Sequence, residues 1–211
     1  MIAIIDYGMG NLRSVERALT HVGATSVQVT DDPAVIDAAD RVVFPGQGAV
    51  RDCMSALHRY ELVDVLGRVM QDRPFLGICM GMQALMTRSE ENDGVEALGY
   101  FAGTVRHFRT LTGGSPRLKI PHMGWNRLSQ TRAHPLFAGI DPGTRFYFVH
   151  SYYVEPADNA IVQGESDYGA AFAAAIGAAN VFATQFHPEK SQAPGLRLLK
   201  NFIAWDGEPC N

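Results

Sequence analysis

Cys79 sits at the centre of Gly77-Ile78-Cys79-Met80-Gly81, which puts a lone thiol where a buried strand should turn sharply into a helix. Upstream, Pro74-Phe75-Leu76-Gly77-Ile78 reads as a short strand; downstream, Met82, Leu85 and Met86 recur at helical spacing. A side chain at such an elbow projects from the strand tip on a strained backbone, with glycines on either side making room for the turn. The following helix would aim free N–H groups and the positive end of its dipole at the sulfur, favouring thiolate. The chemistry this allows is attack on a carbonyl carbon. A buried structural cysteine beside two ordinary glycines is the plain alternative.

His187-Pro188-Glu189 supplies what such a thiol needs. Val181-Phe182-Ala183-Thr184-Gln185-Phe186 reads as a strand running into it, and Pro188 biases His187 toward extended backbone. Residues two apart in an extended run point the same way, so Glu189 is expected beside His187, fixing its tautomer and stabilising its imidazolium. Alone, His187 is equally a strand-end histidine bonded to backbone, and Glu189 a solvated charge. Joined to a cysteine on an elbow, they form a nucleophile, a base and an orienting acid.

Two glycine loops follow strands. Pro45-Gly46-Gln47-Gly48 ends the third strand on the rim expected for Cys79, where glycines let backbone N–H groups approach a ligand, so an oxyanion loop is preferred to a plain turn. Tyr7-Gly8-Met9-Gly10-Asn11 opens the first helix as a dinucleotide loop would. The third glycine of that fingerprint would fall at Arg13, so a tight turn with an exposed Asn11 and no cofactor is expected.

Alternating strands and helices must position these groups. Strands are expected at Ile2–Ile5, Ser26–Val29, Arg41–Phe44 and the run into Cys79, with helices over Leu12–Val22, Val35–Ala39 and around Ala56–Met70. That pattern implies a parallel sheet covered on both faces. Beyond Tyr100 strands dominate: Thr104–Phe108, Thr144–Val149, Tyr152–Val154, Ala160–Gly164, Ala170–Ala174 and Val181–Gln185, before a last helix over Pro194–Trp205. Thr110–Pro116, centred on Gly113-Gly114-Ser115-Pro116, is the flexible segment expected.

The 211 residues, 46% hydrophobic and 19% charged, suit a single α/β domain over 1–211. A net charge of −4 gives no footprint for nucleic acid. No run of about 18 apolar residues offers a membrane span. Met1-Ile2-Ala3-Ile4-Ile5 leads straight into Asp6 with no basic segment, and reads as a strand and not a signal peptide. Cys53, Cys79 and Cys210, scattered and odd in number, point to a reducing cytosol without a disulfide framework or metal site; Cys53 is expected in helix packing and Cys210 in a frayed tail.

Gly77-Ile78-Cys79-Met80-Gly81-Met82-Gln83 together with His187-Pro188-Glu189 resembles the class I (triad) glutamine amidotransferases, in which the acid follows the histidine. Ile4-Ile5-Asp6-Tyr7-Gly8-Met9-Gly10-Asn11-Leu12, Pro45-Gly46-Gln47-Gly48-Ala49, Pro121-His122-Met123-Gly124-Trp125-Asn126 and Phe148-Val149-His150-Ser151-Tyr152-Tyr153 are similar to the glutaminase subunits of imidazole glycerol phosphate synthase. The resemblance implies a three-layer sandwich, with a central mostly parallel sheet, helices on both faces and a smaller antiparallel strand-rich part. It implies Cys79, His187 and Glu189 as the triad splitting glutamine into glutamate and ammonia, and the backbone amides of Met80 and Gln47 as oxyanion donors. Gly48, Gln83, Glu91, Ser151 and Tyr152 would contact substrate, with Glu90 competing for the role of Glu91.

Ammonia released to water is protonated and no longer a nucleophile. The resemblance therefore implies docking to a (β/α)8-barrel cyclase subunit that takes ammonia through a shielded tunnel and makes imidazole glycerol phosphate in histidine biosynthesis. The pair would be a cytoplasmic heterodimer, without cofactor or metal, with Asn11, Trp125, Asn126 and Lys190 on the docking face. Three other readings stay open: a glutaminase of this class serving another synthase, a cysteine hydrolase on a related sheet, and a binding subunit with an inert Cys79.

Overall fold

The computed structural model describes residues 1–111 and 118–208. The first half alternates as the apolar spacing demands: β1 (Ile2–Ile5), α1 (Leu12–His21), β2 (Val27–Thr30), α2 (Pro33–Asp37), β3 (Arg41–Gly46), α3 (Val50–Arg59), α4 (Leu62–Asp72), β4 (Phe75–Cys79) and α5 (Met80–Gln83). Strands then prevail: β5 (Met86–Ser89), β6 (Val95–Glu96), β7 (Phe101–His107), the short α6 (Phe108–Leu111), β8 (His122–Arg127), β9 (Ser129–Gln130), β10 (Arg145–His150), β11 (Tyr152–Pro156), β12 (Val162–Asp167), β13 (Ala171–Ala178) and β14 (Val181–Thr184), closed by α7 (Gln192–Ala204). Gly113-Gly114-Ser115-Pro116 and Cys210, about which the sequence raised expectations, lie outside the described residues.

A 12-stranded sheet runs β2-β1-β3-β4-β14-β13-β11-β7-β5-β6, with β12 and β9 attached beside β13. From β2 to β14 every pairing is parallel. The pairings of β13 with β14 and β11, and of β11 with β7, are antiparallel. The pair β8–β10 forms a separate antiparallel ribbon.

Alternation along the central strands splits the core in two. Ala3, Ile5, Val42 and Phe44 face α3 and α4 through Leu57, Leu62, Leu66 and Val69. Ile2, Ile4, Val43, Leu76 and Ile78 face α1 and α7 through Val15, Leu19, Leu198 and Phe202. Each such side chain contributes roughly 1.5–3 kcal/mol when fully buried, and strands apolar on both faces need helices on both sides.

Two expectations change. The helical run around Ala56–Met70 is two helices, broken where Glu61 takes a left-handed φ of 56°. The helix after Cys79 stops at Gln83, and Met86 begins β5 instead of completing it. From Met80 to Met86 every residue is buried, so this stretch has no polar face for an amphipathic helix.

Candidate active site

Strand order assembles the site. β4 lies between β3 and β14, all parallel, so their carboxyl ends share one rim. The register sets Gly46 beside Cys79 and Thr184 beside Ile78, which brings the Gly46–Gly48 loop and the approach to His187 to either side of the sulfur.

Cys79 has φ 56° and ψ −104°, the strained elbow expected, a conformation costing about 1–3 kcal/mol that the neighbouring strands must hold. The flanking glycines serve close approach. A Cβ on Gly81 would lie 1.8 Å from the Phe44 carbonyl oxygen, and one on Gly77 3.0 Å from the Ala183 Cβ. Gly46 is confined likewise: its Cβ would meet the Tyr7 hydroxyl at 2.0 Å and the Met80 Cβ at 2.8 Å. Met80, as first residue of α5, has an N–H with no partner inside the helix. A four-residue helix carries little macrodipole, so what it offers the sulfur is chiefly this free N–H.

His187 and Glu189 meet, although not by strand alternation. Pro188–Lys190 forms a 3-10 turn that folds the carboxylate back, so that Glu189 Oε1 lies 2.8 Å from His187 Nδ1. The turn is clamped from β10: His187 N donates to the Tyr147 carbonyl at 2.9 Å, and Ser191 Oγ links Tyr147 N and the His187 carbonyl at 2.9 and 2.6 Å. His187 Nε2 is buried and has no well-aligned hydrogen-bond partner among the described residues, but the Cys79 sulfur acts on the ring. Burial alone would lower its pKa; the thiolate first, and Glu189 after it, overcome this and raise the pKa to about 10. The site thus favours a proton on His187, with the Cys79 sulfur on one side of the ring and the Glu189 carboxylate behind it.

A cavity of about 450 Å³ opens over the sulfur. Gly48, Gln83, Glu91, Ser151 and Tyr152, the expected substrate contacts, all line it with Cys79 and His187. Of the neighbouring acids it is Glu91 that lines the cavity; its Oε2 accepts from Val50 N at 2.8 Å, joining it to the helix that follows the Gly46–Gly48 loop, while Glu90 pairs with Arg106 at 3.6 Å. Lys190, expected on a docking face, also lines the cavity.

Trp125 is 43% exposed and Met123 62%, both on the outer side of β8. Asn126 is turned the other way: its amide nitrogen donates to the Asp167 carbonyl at 2.7 Å, and its oxygen accepts from Arg127 N at 2.8 Å. Its amide is thus engaged within the chain, while the residue itself stays partly exposed. Asn11 is half-buried at the start of α1, its carbonyl accepting from Ser14 N and Val15 N, and is not the exposed residue expected.

Gln185 escaped sequence reasoning. Fully buried, it donates from Nε2 to Cys79 Sγ at 3.6 Å and accepts at Oε1 from Gln83 at 3.0 Å. No local signal marks it: the chain bends at Gln185 and Phe186, and its partners Cys79 and Gln83 lie far along the sequence. Cys53 is the packing residue expected: burial raises its pKa to about 12, so its thiol is inert. Among the described residues, no group of three or more His, Cys, Asp or Glu side chains is arranged to hold a metal, and no helix is long and apolar enough to cross a membrane.

Residues 3–205 match the family model for glutamine amidotransferase class-I. The chain is 58% identical over 207 residues to the imidazole glycerol phosphate synthase subunit HisH 1 of Pseudomonas aeruginosa, covering 98% of this chain and 97% of that protein. It is 54% identical to the subunit HisH of Acinetobacter baylyi over 206 residues, 97% of this chain and 98% of that one. Among solved structures, a glutamine amidotransferase superposes with a TM-score of 0.73 at 15% identity, covering 97% and 98% of the two chains. The glutaminase domain of CTPS from Trypanosoma brucei gives 0.65 at 17% identity, covering 96% and 92%. At such identities these two structures speak to the fold.

Proposed function

The chain belongs to the class-I glutamine amidotransferases, among the HisH-type glutaminase subunits of imidazole glycerol phosphate synthase, and from that premise we propose how its residues release and deliver ammonia. Cys79 thiolate attacks the side-chain carboxamide carbon of glutamine. The carbonyl oxygen becomes an oxyanion facing the Met80 amide and, once the Gly46–Gly48 loop presents it, the Gln47 amide; one such donor is worth ~2.7–4 kcal/mol in the transition state. His187, charged beside the thiolate, protonates the departing nitrogen and ammonia leaves, with a γ-glutamyl thioester on Cys79. Neutral His187 then takes a proton from water, whose oxygen attacks the thioester, and glutamate departs as the thiolate re-forms. Glu189 holds the ring throughout.

Gln83, Glu91 and the backbone of Gly48, Ser151 and Tyr152 seat the substrate, with the Glu91 carboxylate toward its ammonium. Residues 1–211 act as one amidotransferase domain in the cytoplasm. Ammonia passes under cover to a cyclase subunit of (β/α)8-barrel form, docked over the rim through Trp125 and Asn11, with Lys190 beside the passage. The observation that carries this reading is the β3-β4-β14 order, which gathers loop, sulfur and imidazole at one cavity. The test is Cys79→Ala in complex with the cyclase partner. Glutamine-dependent product should vanish while synthesis from ammonium salt persists; loss of both would overturn the division of labour.

A further inference from the structure

A line of polar groups, most of them buried, runs from β8 to the catalytic sulfur, and two of its members, His122 and His150, have no task in the chemistry proposed above. His150, at the end of β10, has its Nδ1 2.7 Å from the Tyr152 carbonyl oxygen and its Nε2 3.0 Å from His122 Nδ1. His122 Nε2 lies 3.2 Å from Asn126 Nδ2. The same Tyr152 carbonyl accepts from Gln83 Nε2 at 3.2 Å, Gln83 reaches Gln185, and Gln185 ends on Cys79.

The direction of every bond is determined. A carbonyl only accepts, so His150 Nδ1 carries a proton. Burial lowers the pKa of His150 to about 3 and of His122 to about 4, so both rings are neutral and each has a single N–H. His150 Nε2 therefore accepts, His122 Nδ1 donates to it, and His122 Nε2 accepts from Asn126 Nδ2. The Asn126 oxygen is already taken by the Arg127 amide, which sets which end of that amide faces His122. One tautomer of each histidine satisfies the whole line; reversing any link leaves a buried donor or acceptor without a partner.

We propose that His150, braced by His122 and Asn126, is a positioning residue for glutamine hydrolysis: through the Tyr152 carbonyl it fixes the Tyr152–Tyr153 peptide, next to the Ser151–Tyr152 backbone that substrate binds, and, through the same carbonyl and Gln83, the amide that Gln185 presents to the sulfur. The inference rests on reading the cavity as a glutamine site. Its rival is packing, since the His150 ring lies among Phe108, Phe148 and Phe172 at centroid distances of 5.0, 5.7 and 5.4 Å.

Two substitutions separate these roles, assayed in the complex with the cyclase partner. His150→Phe keeps the ring volume and removes the donor. His150→Asn leaves a void but keeps an N–H close to the place of Nδ1. Positioning predicts a rise in KM for glutamine on the order of tenfold in His150→Phe, from one lost hydrogen bond to a buried acceptor, with ammonium-driven synthesis retained and KM largely restored in His150→Asn. Packing predicts the reverse ranking, Phe better than Asn, and that result overturns the inference, as does a folded His150→Phe with the wild-type KM. Should His150→Phe fail to fold, His122→Phe against His122→Asn makes the same comparison one link further out. Glutamine turnover surviving in Cys79→Ala would remove the glutaminase reading itself, whereas its loss there beside a wild-type KM in His150→Phe overturns the positioning role alone.

Discussion

Glu189 holds His187 Nδ1 with one oxygen at 2.8 Å, and its other oxygen is buried with no hydrogen-bond partner among the described residues, so its carboxylate is directed at one imidazole. Glu189→Gln retains the shape and removes that charge; its amide nitrogen, if turned to Nδ1, would favour the wrong tautomer. Turnover of glutamine should fall on the order of a hundredfold or more, with ammonium-driven synthesis by the complex as the control. The raised pKa of His187 has a second consequence. Its folded value, about 10, exceeds the ordinary value of about 6.5, so the linked stability is complete below the ordinary value and is lost as pH rises through the folded one. Denaturant midpoints of the wild type should therefore decline as pH rises toward the folded value, once the thiol of the unfolded chain has also lost its proton. Cys79→Ala, without the thiolate that is the chief cause of the raised value, should show a flatter profile; an equally steep one would contradict the ion pair. At this scale Cys79, His187 and Glu189 stood out as candidates because their motifs are local and chemically unusual. Gln185 and His150 were not, since their meaning lies in contacts far along the chain: Gln185 meets the sulfur across 106 positions and His122 meets His150 across 28.

The elbow shows what elements add to residues. The sequence suggests a sharp turn with glycines around it, and the structure supplies the reason, the passage of α5 against the Phe44 carbonyl of β3. Gly81→Ala would drive a Cβ into backbone that no rotamer can relieve, so the strand or the short helix must shift, at about 1–3 kcal/mol or more. The expected outcome is a lower unfolding midpoint together with lost glutaminase activity, because the same shift moves the Met80 amide. Unchanged stability would show that β3 and α5 pack more loosely than so close an approach implies. The length of α5 was not legible: Met82, Leu85 and Met86 fit a helical period, but tertiary burial on every side overrides it and β7 recruits Met86 into a strand. The proximity of His187 and Glu189 was right for a different reason, a 3-10 turn clamped by Ser191 in place of an extended pair.

Across the whole molecule, the central parallel strands gather the Gly46–Gly48 loop, Cys79 and His187 at one rim, and the β8–β10 ribbon stands beside it with Met123 and Trp125 exposed on its outer side. Strand alternation along β8 faces His122 inward and Met123 and Trp125 outward, so the strand that braces His150 is also the one exposing two large apolar side chains. Trp125 touches Tyr147 edge-on at 6.2 Å, and Tyr147 anchors both the His187 turn and the cavity wall. An aromatic anchor in that position suits docking of the cyclase partner. Trp125→Ala should weaken association by about 2 kcal/mol or more, as buried aromatic anchors do, and measurably reduce stimulation of glutamine hydrolysis by the partner. The unfolding midpoint of the isolated chain should barely change, because the indole leaves much of its surface in solvent. An unaltered affinity would move the docking face away from β8, and a large loss of stability without loss of affinity would make Trp125 a core residue. Only the first outcome, weaker docking on an intact fold, agrees with a ribbon whose inner side serves the glutamine site and whose outer side serves the partner.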